Sequence, residues 1–489
     1  MELTRRHFCG LSCSALALGA TGCAVNPATG QRDFMLMSLQ DERQLGAEMH
    51  PEVIKEFGGV YDDARVAQYV ATIGGVLAKT TELPDQNYTF TVLDSPVVNA
   101  FALPGGYVYI TRGLMALASD EAELAGVLGH ELGHVVARHS AQRYSRGMIV
   151  GGVAGLLGAV TGSETVGSIV AGVGSLAFLQ PFSREQELEA DRLGVRYITR
   201  AGYDAGAMTS FLAKMRENSR LEAKIAGRDP DEVDARDIMS THPRTVERVN
   251  RAMQLAGAAA GRGKLGSDTY LARIDSMIFG DSPRHGLVRG QVFVHPIERY
   301  RFEVPGGFQL KNLPDAAIAV SPARMLIQLD AAEKPYDGPM TSYIAQDWAR
   351  ELTLEGLRPV TVNGLAAATA EATVAVRSGT VQFGLVAIRF DAGRIYRFLG
   401  AAPRDSASTL MAALRETVFS FRPISRAEVS AVRPWQLNVV EVRSGDTVYG
   451  LARRSPFESL QQERFRVMNG LGASEPLRAG ARVKLVVER

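Results

Sequence analysis

Apolar residues recur at helical spacing in residues 64–79, where Val66, Tyr69, Val70, Ile73 and Leu77 share one face. The period then changes. Residues 88–93 and 107–111 are rich in Tyr, Val, Thr and Ile and bounded by Pro, Asp and Gly, which predicts two strands. Between them the stretch from Asn99 to Gly106 ends in a turn. Residues 120–140 return to a helical pattern. Ser119 or Asp120 supplies the N-cap, Glu121 and Glu123 stand where the helix dipole favours acids, and Leu124, Val127, Leu128 and Val135 form the apolar stripe. Another helix is predicted over 184–200, with Gly202 as its C-cap. Residues 148–182 are nearly uncharged and glycine-rich, interrupted at 161–164. Each half falls short of the ~20 apolar residues of a membrane span. Two packed helices forming a lid is the reading adopted, with a membrane-surface contact as the alternative.

The alanine- and glycine-rich stretch from Ala256 to Gly266 reads as a linker. Residues 267–423 then predict a separate α+β domain, with strands near 299–304, 325–329 and 381–390 and helices near 341–354 and 407–418. No His, Asp and Glu cluster of catalytic spacing lies in it. A last segment, 436–489, follows Arg433-Pro434 and reads as strand, turn and helix from Val440 onward. The length of 489 residues suits this division into two or three domains.

Composition adds exclusions. The hydrophobic fraction of 46% and charged fraction of 22% are those of a soluble globular protein. With 54 basic and 53 acidic residues the net charge is +1, so no surplus exists to neutralise phosphates, and nucleic acid is excluded as a partner. The three cysteines, Cys9, Cys13 and Cys23, all precede the body of the chain, which leaves no disulfide framework. Arg5-Arg6 ahead of the small, apolar run from Phe8 to Gly22 forms an export signal and, with Phe8, resembles a twin-arginine one. Ala20-Thr21-Gly22-Cys23 resembles a lipobox, so residues 1–23 are expected to be a signal peptide with Cys23 as the lipidated residue.

The chemistry concentrates in His130-Glu131-Leu132-Gly133-His134. Residues four apart on a helix share a face, so two imidazoles can hold one zinc ion while Glu131 reaches its water. With 8 histidines in the chain, chance supplies this spacing roughly 0.014 times. A third ligand is still required. Ser140 stands where a third histidine of the metzincin pattern would, and His139, five residues after His134, points about 140° away, which makes it a hydrogen-bonding neighbour rather than a ligand. A carboxylate on the 184–200 helix is therefore expected. Glu187 and Asp191 share one face, so one can bind metal while the other orients a histidine; spacing alone leaves Glu185 and Glu189 open.

In combination with Arg138-His139-Ser140, Glu187 through Asp191, Asn26 through Gly30 and Ser240-Thr241-His242-Pro243, this motif resembles the CAAX-prenyl-protease/HtpX family of gluzincin metallopeptidases, in its periplasmic BepA-like branch. The resemblance covers Pro27 to about Leu255. It implies a mainly helical zincin-like peptidase domain with a small β-sheet at 24–260, so that the whole is α+β. It also implies one Zn2+ per chain, with His130, His134 and Glu187 as ligands, Glu131 as general base and Asp191 behind a ligand. His242 would cap or gate the metal and Arg248 would stabilise the oxyanion; without the family they read as a turn histidine and a surface cation. Asn99, Ala100 and Phe101 match the edge strand that receives substrate. Residues 436–489 resemble a small LysM-like β-α-α-β module, which implies peptidoglycan as a further partner. The expected protein is an exported, periplasmic metalloendopeptidase, lipid-anchored to the outer membrane, that acts on envelope proteins. The alternative is an envelope chaperone or scaffold, or a peptidoglycan-binding anchor, with a mostly capped site.

Overall fold

The computed structural model describes residues 23–145, 181–232, 246–376 and 379–489. These form two compact units, one joining the chain up to Phe279 with residues 436–487, the other holding 280–435 and the last two residues. The expected export signal (apart from Cys23), the lid expected over 148–182 (apart from its last two residues) and His242 lie outside the described residues.

In the first unit a short hairpin pairs β1 (Cys23–Val25) with β2 (Arg32–Phe34). Helix α1 (Leu39–Glu56) starts at a Ser38–Asp41 capping box, and α2 (Ala64–Ala78) starts at Asp63, whose carboxylate accepts from two backbone N–H groups. Both expected strands form, as β3 (Thr89–Leu93) and β5 (Tyr107–Thr111), and a third, β4 (Ala100–Leu103), joins them. The order is β3-β5-β4, with β3 parallel and β4 antiparallel to β5, so β4 is an edge among the described residues. Phe101, Leu103 and Tyr109 seat this sheet on Met49 and Val53 of α1. The β4–β5 turn passes so close to α1 that a Cβ on Gly105 would lie 2.6 Å from the Arg43 backbone, and its φ of +82° suits glycine alone.

Helix α3 (Arg112–Leu117) leads into α4 (Glu121–Val136), every residue of which is buried. The apolar stripe alone predicts one buried face. The others are covered because α2, β4, α5 (Arg184–Arg200), α6 (Ala207–Ile225) and α8 (Ser267–Ile274) all pack on α4, while α7 (Val246–Ala256) packs on α5 and α6. Its first-turn acids survive burial by full pairing. Glu121 accepts from the Tyr69 and Tyr203 hydroxyls and from Lys264, and Glu123 accepts from Lys214, Ser210 and the Ser119 N–H. The helix ends at Val136 rather than Ser140. Arg138 adopts a left-handed φ of 57°, held there by bonds of 2.5 Å to the Glu42 carboxylate and 2.6 Å to the Met37 carbonyl, and helical residues resume at 139. The strand β6 (Ile278–Phe279) closes this part of the unit.

The second unit is built on strands. A four-stranded sheet has the order β17-β9-β8-β7, from β7 (Leu287–Arg289), β8 (Val292–His295), β9 (Tyr300–Glu303) and β17 (Arg422–Pro423). The larger, antiparallel sheet contains β10 (Gln309–Asn312), β11 (Ala316–Val320), β12 (Leu326–Ala331), β13 (Leu354–Val362), β14 (Leu365–Val376), β15 (Gly379–Arg389) and β16 (Ile395–Pro403), in the order β10-β11-β12-β16-β15-β14-β13. On one face Leu410, Leu414 and Val418 of α9 (Ala407–Ser420) meet Val386 and Phe398. Met340, Tyr343 and Ile344 cover Ala368, Ala370 and Leu385 on the other, as the two-residue alternation of strands requires. The helix expected over 341–354 is cut short. It spans Met340 to Trp348, its second part a π-turn, and the chain is extended again from Leu354.

The C-terminal segment runs β18 (Trp435–Glu441), α10 (Val448–Ala452), α11 (Gln461–Met468) and β19 (Arg482–Glu488) around a core of Val442, Leu451, Phe465 and Leu485. Its sheet takes in the earlier strand, in the order β19-β18-β6. The Lys484 ammonium, fully buried, donates to the carbonyls of Ala116, Leu117 and Ala118 at 2.8, 3.2 and 2.6 Å, which caps the C-terminal end of α3.

Two outcomes follow for stability. Lys484→Met leaves three buried carbonyls without their donor and should cost the first unit about 1–3 kcal/mol, read as a lowered thermal midpoint. Burial, with the charge of Glu123 beside it, raises the Asp120 carboxyl from 3.8 to about 6. A raised acid favours the folded state most when protonated, so this stability is full below pH 3.8 and lost as pH rises through about 6. Asp120→Asn keeps the N-cap acceptor and should reduce the fall in melting temperature across that window; an unchanged pH profile would rule out the assignment.

Candidate metal centre

The site depends on how closely α4 and α5 approach. A Cβ on Gly133 would lie 3.1 Å from the Ala190 carbonyl oxygen, and one on Gly194 would lie 3.0 Å from the His130 backbone nitrogen. Glycine at these positions lets the two backbones meet where larger residues would hold them apart. His130 and His134, one turn apart on α4, then turn their Nε2 atoms to within 3.0 Å of each other. Glu187, in the first turn of α5, brings Oε2 to 3.5 Å from His130 Nε2 and Oε1 to 3.5 Å from His134 Nε2.

Among the described residues, His130, His134 and Glu187 are the group of His, Cys, Asp and Glu side chains that converges as metal ligands do. A tetrahedral ion with bonds of about 2.0–2.1 Å separates its ligand atoms by about 3.3 Å. The pairwise separations of 3.0 and 3.5 Å lie near that value and the three ligand atoms fall within 4.8 Å of one another, so the donor set fits. Glu185 is exposed and Glu189 points elsewhere, which leaves Glu187 as the carboxylate at the triangle.

Around the triangle lies a buried ionic frame. Asp191 places Oδ1 2.9 Å from His130 Nδ1. Arg248, on α7, donates from Nε and Nη2 to the two Asp191 oxygens at 2.8 and 2.7 Å, and its Nη1 lies 2.8 Å from Glu187 Oε2. Burial raises the Asp191 carboxyl, but the charge and hydrogen bonds of Arg248, with His130, outweigh it and hold the group down at about 2. Burial likewise lowers His130, and the hydrogen bonds to Asp191 and Glu187 reverse the sign and lift it to about 9. The carboxylates thus make the His130 position one that favours positive charge. His139, which regular helical spacing turns away, is brought back by the break at Arg138, so that its Nδ1 lies 2.9 Å from His134 Nδ1 and its Nε2 3.4 Å from Glu189. Phe182 stacks on the His134 ring at 4.0 Å between centroids.

Glu131 is buried and faces a cavity, also walled by Arg248, His130, Asn99 and Ala100. The next residue of the edge strand, Phe101, turns the other way and stacks on Tyr109. Two features escape a reading of the sequence. Arg248 grips both acidic residues of α5, and an apolar wall on α6 lines the same cavity as Glu131. Only the last had a signal, since Met208, Phe211, Leu212 and Met215 stand at the i, i+3, i+4, i+7 spacing of a helix stripe.

Two imidazoles and a carboxylate converging beside a second, buried glutamate form a group that could hold a metal ion. Residues 64–256 match the model of Peptidase family M48. Similar proteins include the Beta-barrel assembly-enhancing protease of Escherichia coli (strain K12), 27% identical over 273 residues, or 53% of each chain. The Mitochondrial metalloendopeptidase OMA1 of Schizosaccharomyces pombe is 28% identical over 227 residues, 46% of this chain and 64% of that one. The chain thus spans about half the length of the bacterial relatives it matches. Among solved structures, the cyanobacterial PsbP of Synechocystis sp. PCC 6803 aligns with 28% of this chain and 98% of its own at 15% identity and a TM-score of 0.23, too low to inform the fold.

If Asp191 fixes the His130 ring through Nδ1, Asp191→Asn should weaken metal affinity about 10–100-fold, measured by chelator competition, with the fold retained. Unchanged affinity would show that His130 needs no such support.

Proposed function

We propose that this chain is a zinc-dependent metalloendopeptidase that hydrolyses peptide bonds in bacterial envelope proteins, in quality control or outer-membrane protein assembly. One observation carries the reading: His130, His134 and Glu187 bring their ligand atoms within 4.8 Å of one another, beside the cavity that Glu131 lines. The names of the bacterial relatives support the envelope assignment. The export signal and lipobox support periplasmic placement with Cys23 as the outer-membrane anchor. Among the described residues no helix is long and apolar enough to cross a membrane. The β-α-α-β order of 436–489 is that of a LysM-like module, for which peptidoglycan would be the ligand.

Bound at the triangle, zinc would acidify the attacking water and polarise the scissile carbonyl. The remaining work falls to this chain's residues. Glu131 takes the water's proton and passes it to the leaving amine. Asp191 and His139 accept from the Nδ1–H groups of His130 and His134, so both rings present Nε2 inward. Arg248 holds Glu187 and Asp191 in place and sets a positive charge beside the developing oxyanion. His242 would cap or gate the site. Asn99 and Ala100 would receive the substrate backbone along β4, which pairs with β5 alone among the described strands.

Glu131→Gln should lower peptide cleavage by about 10²–10⁴-fold while bound zinc is unchanged by elemental analysis. In cells, envelope proteins that accumulate with this variant, identified by mass spectrometry, would be the substrates. Full activity on a protein substrate would exclude the mechanism.

A further inference from the structure

The stretch from Asn26 to Gly30 lies outside the hydrolytic chemistry, yet its asparagine is only 1% exposed. Asn26 folds the β1–β2 connection on itself. Its backbone N–H donates to the Gln31 carbonyl at 2.7 Å, its own carbonyl accepts from Gly30 at 2.8 Å, and its side-chain oxygen accepts from the Ala28 N–H at 2.9 Å. The side-chain amide then donates at 2.9 Å to Asp33 Oδ2. That same oxygen accepts at 2.9 Å from Nε2 of Gln142, a buried residue beyond the end of α4. Gln142 Nε2 also donates to the Ala137 carbonyl at 3.0 Å, and its Oε1 accepts from Gln186 Nε2 at 3.1 Å. Gln186 Oε1 accepts in turn from the Ser183 N–H at 3.2 Å, which completes the capping box of α5. The next residue is Glu187, whose N–H donates to the Ser183 carbonyl at 3.0 Å.

We infer that Asp33 is a positioning residue for the metal centre: through Gln142 and Gln186 it fixes the first turn of α5, and with it the Glu187 carboxylate. This rests on the peptidase reading proposed above and deepens it by adding a residue from the N-terminal hairpin. A carboxylate can only accept, so Asp33 sets the direction of the whole line. Gln142 must turn its amide nitrogen toward Asp33 and its oxygen toward Gln186, and Gln186 must turn its nitrogen to Gln142 and its oxygen to the Ser183 N–H. Reversing either amide would set oxygen against oxygen. Both glutamines are buried, so water replaces a lost partner poorly and a break at one end is felt along the line. Fastening the hairpin would need only the Asn26 bond; the bonds onward to Gln142 and Gln186 couple it to the metal-ligand helix. A second set of ties runs from the same part of the chain. Glu42 and the Met37 carbonyl hold Arg138, and the Leu36 N–H donates at 2.9 Å to Ser145 Oγ, which donates at 2.7 Å to the Ala141 carbonyl. Residues 26–42 are thus bonded both to the stretch that carries His139 and, through Gln142, to the turn that carries Glu187.

The test uses the full-length protein and reads zinc affinity by chelator competition alongside peptide cleavage. Asp33→Ala should weaken zinc affinity about tenfold, the low end of what the partner of a ligand contributes, and lower kcat by about the same factor with KM held within about twofold. Asp33→Asn keeps an acceptor oxygen for both amides and should recover most of both losses. Gln142→Met cuts the line at its middle while Asp33 stays bonded to Asn26, so it reports even where Asp33→Ala loosens the hairpin. It should match Asp33→Ala in zinc affinity, and the double variant should fall no further than either, because one line is cut twice. A role confined to the hairpin would lower the melting temperature of the zinc-free protein and leave zinc affinity at the wild-type value. That result, a Gln142→Met protein that binds zinc as the wild type does, or an Asp33→Asn protein as weak as Asp33→Ala overturns the inference. Weakened zinc binding in both variants, with no peptide cleaved by the wild type, leaves Asp33 in its role and overturns the peptidase reading instead.

Discussion

The close approach of α4 and α5 is the constraint on which the site depends. Gly129 and Gly133 on one helix face Ala190 and Gly194 on the other, and an added methyl group would meet backbone within about 3.0–3.4 Å at each glycine. Close packing of this kind admits no gradual adjustment, because a core has little free volume to absorb displaced atoms. If the helices were pushed apart, Glu187 would leave His130 and His134, and Asp191 would leave the far nitrogen of His130. Both carboxylates ride on α5 four residues apart, so one helix position sets the metal triangle and its support together.

Such a site concentrates charge where water is scarce. Glu131, Glu187, Asp191 and Arg248 are all buried, and taking charges out of water is expensive unless each is paired. Arg248 solves this for two carboxylates at once, since its planar fork meets both Asp191 oxygens while the remaining nitrogen meets Glu187. A lysine would present one point charge and could not span the pair. The residue that stands at 248 therefore holds the frame around the metal position as well as lying in the cavity wall.

How much of this was legible depends on the range of the interaction. His130, Glu131 and His134 announce themselves through local spacing, and the face shared by Glu187 and Asp191 is likewise a helical regularity. Strands β3 and β5 and helices α2 and α5 follow from period and punctuation. The break at Arg138 does not, because nothing local marks it. It exists because Glu42 and the Met37 carbonyl, some hundred residues away, hold an arginine in a left-handed conformation. The break also sets which partner His139 meets: read from its spacing as a hydrogen-bonding neighbour, it lies against His134 Nδ1. In the second unit, Leu365–Val376 is dominated by alanine, a helix former, yet it is a central strand. Small side chains there leave room for Met340 and Ile344 on one face, and partner strands on both edges override the intrinsic preference.

The C-terminal segment bears on the cavity through a shared helix. One side of α6 presents Met208, Phe211, Leu212 and Met215 to the space beside Glu131. Another side of the same helix carries Lys214, which bonds Ser119 and Glu123 and packs close to Gly470, and Lys224, which lies 3.1 Å from Glu463 on α11. Lys484 reaches the carbonyls of 116–118 just before α4 begins. The segment thus grips the start of the metal-centre helix and the outer side of the cavity wall. The exposed Lys224 pair adds little by itself, but a buried ammonium held by three carbonyls fixes position strongly. Because α6 and α4 are rigid helices, a restraint on their outer surfaces is felt at the cavity as a limit on how far the wall can move. Residues 436–487 therefore pack on the helix that walls the cavity and on the turn that precedes the helix of His130 and His134.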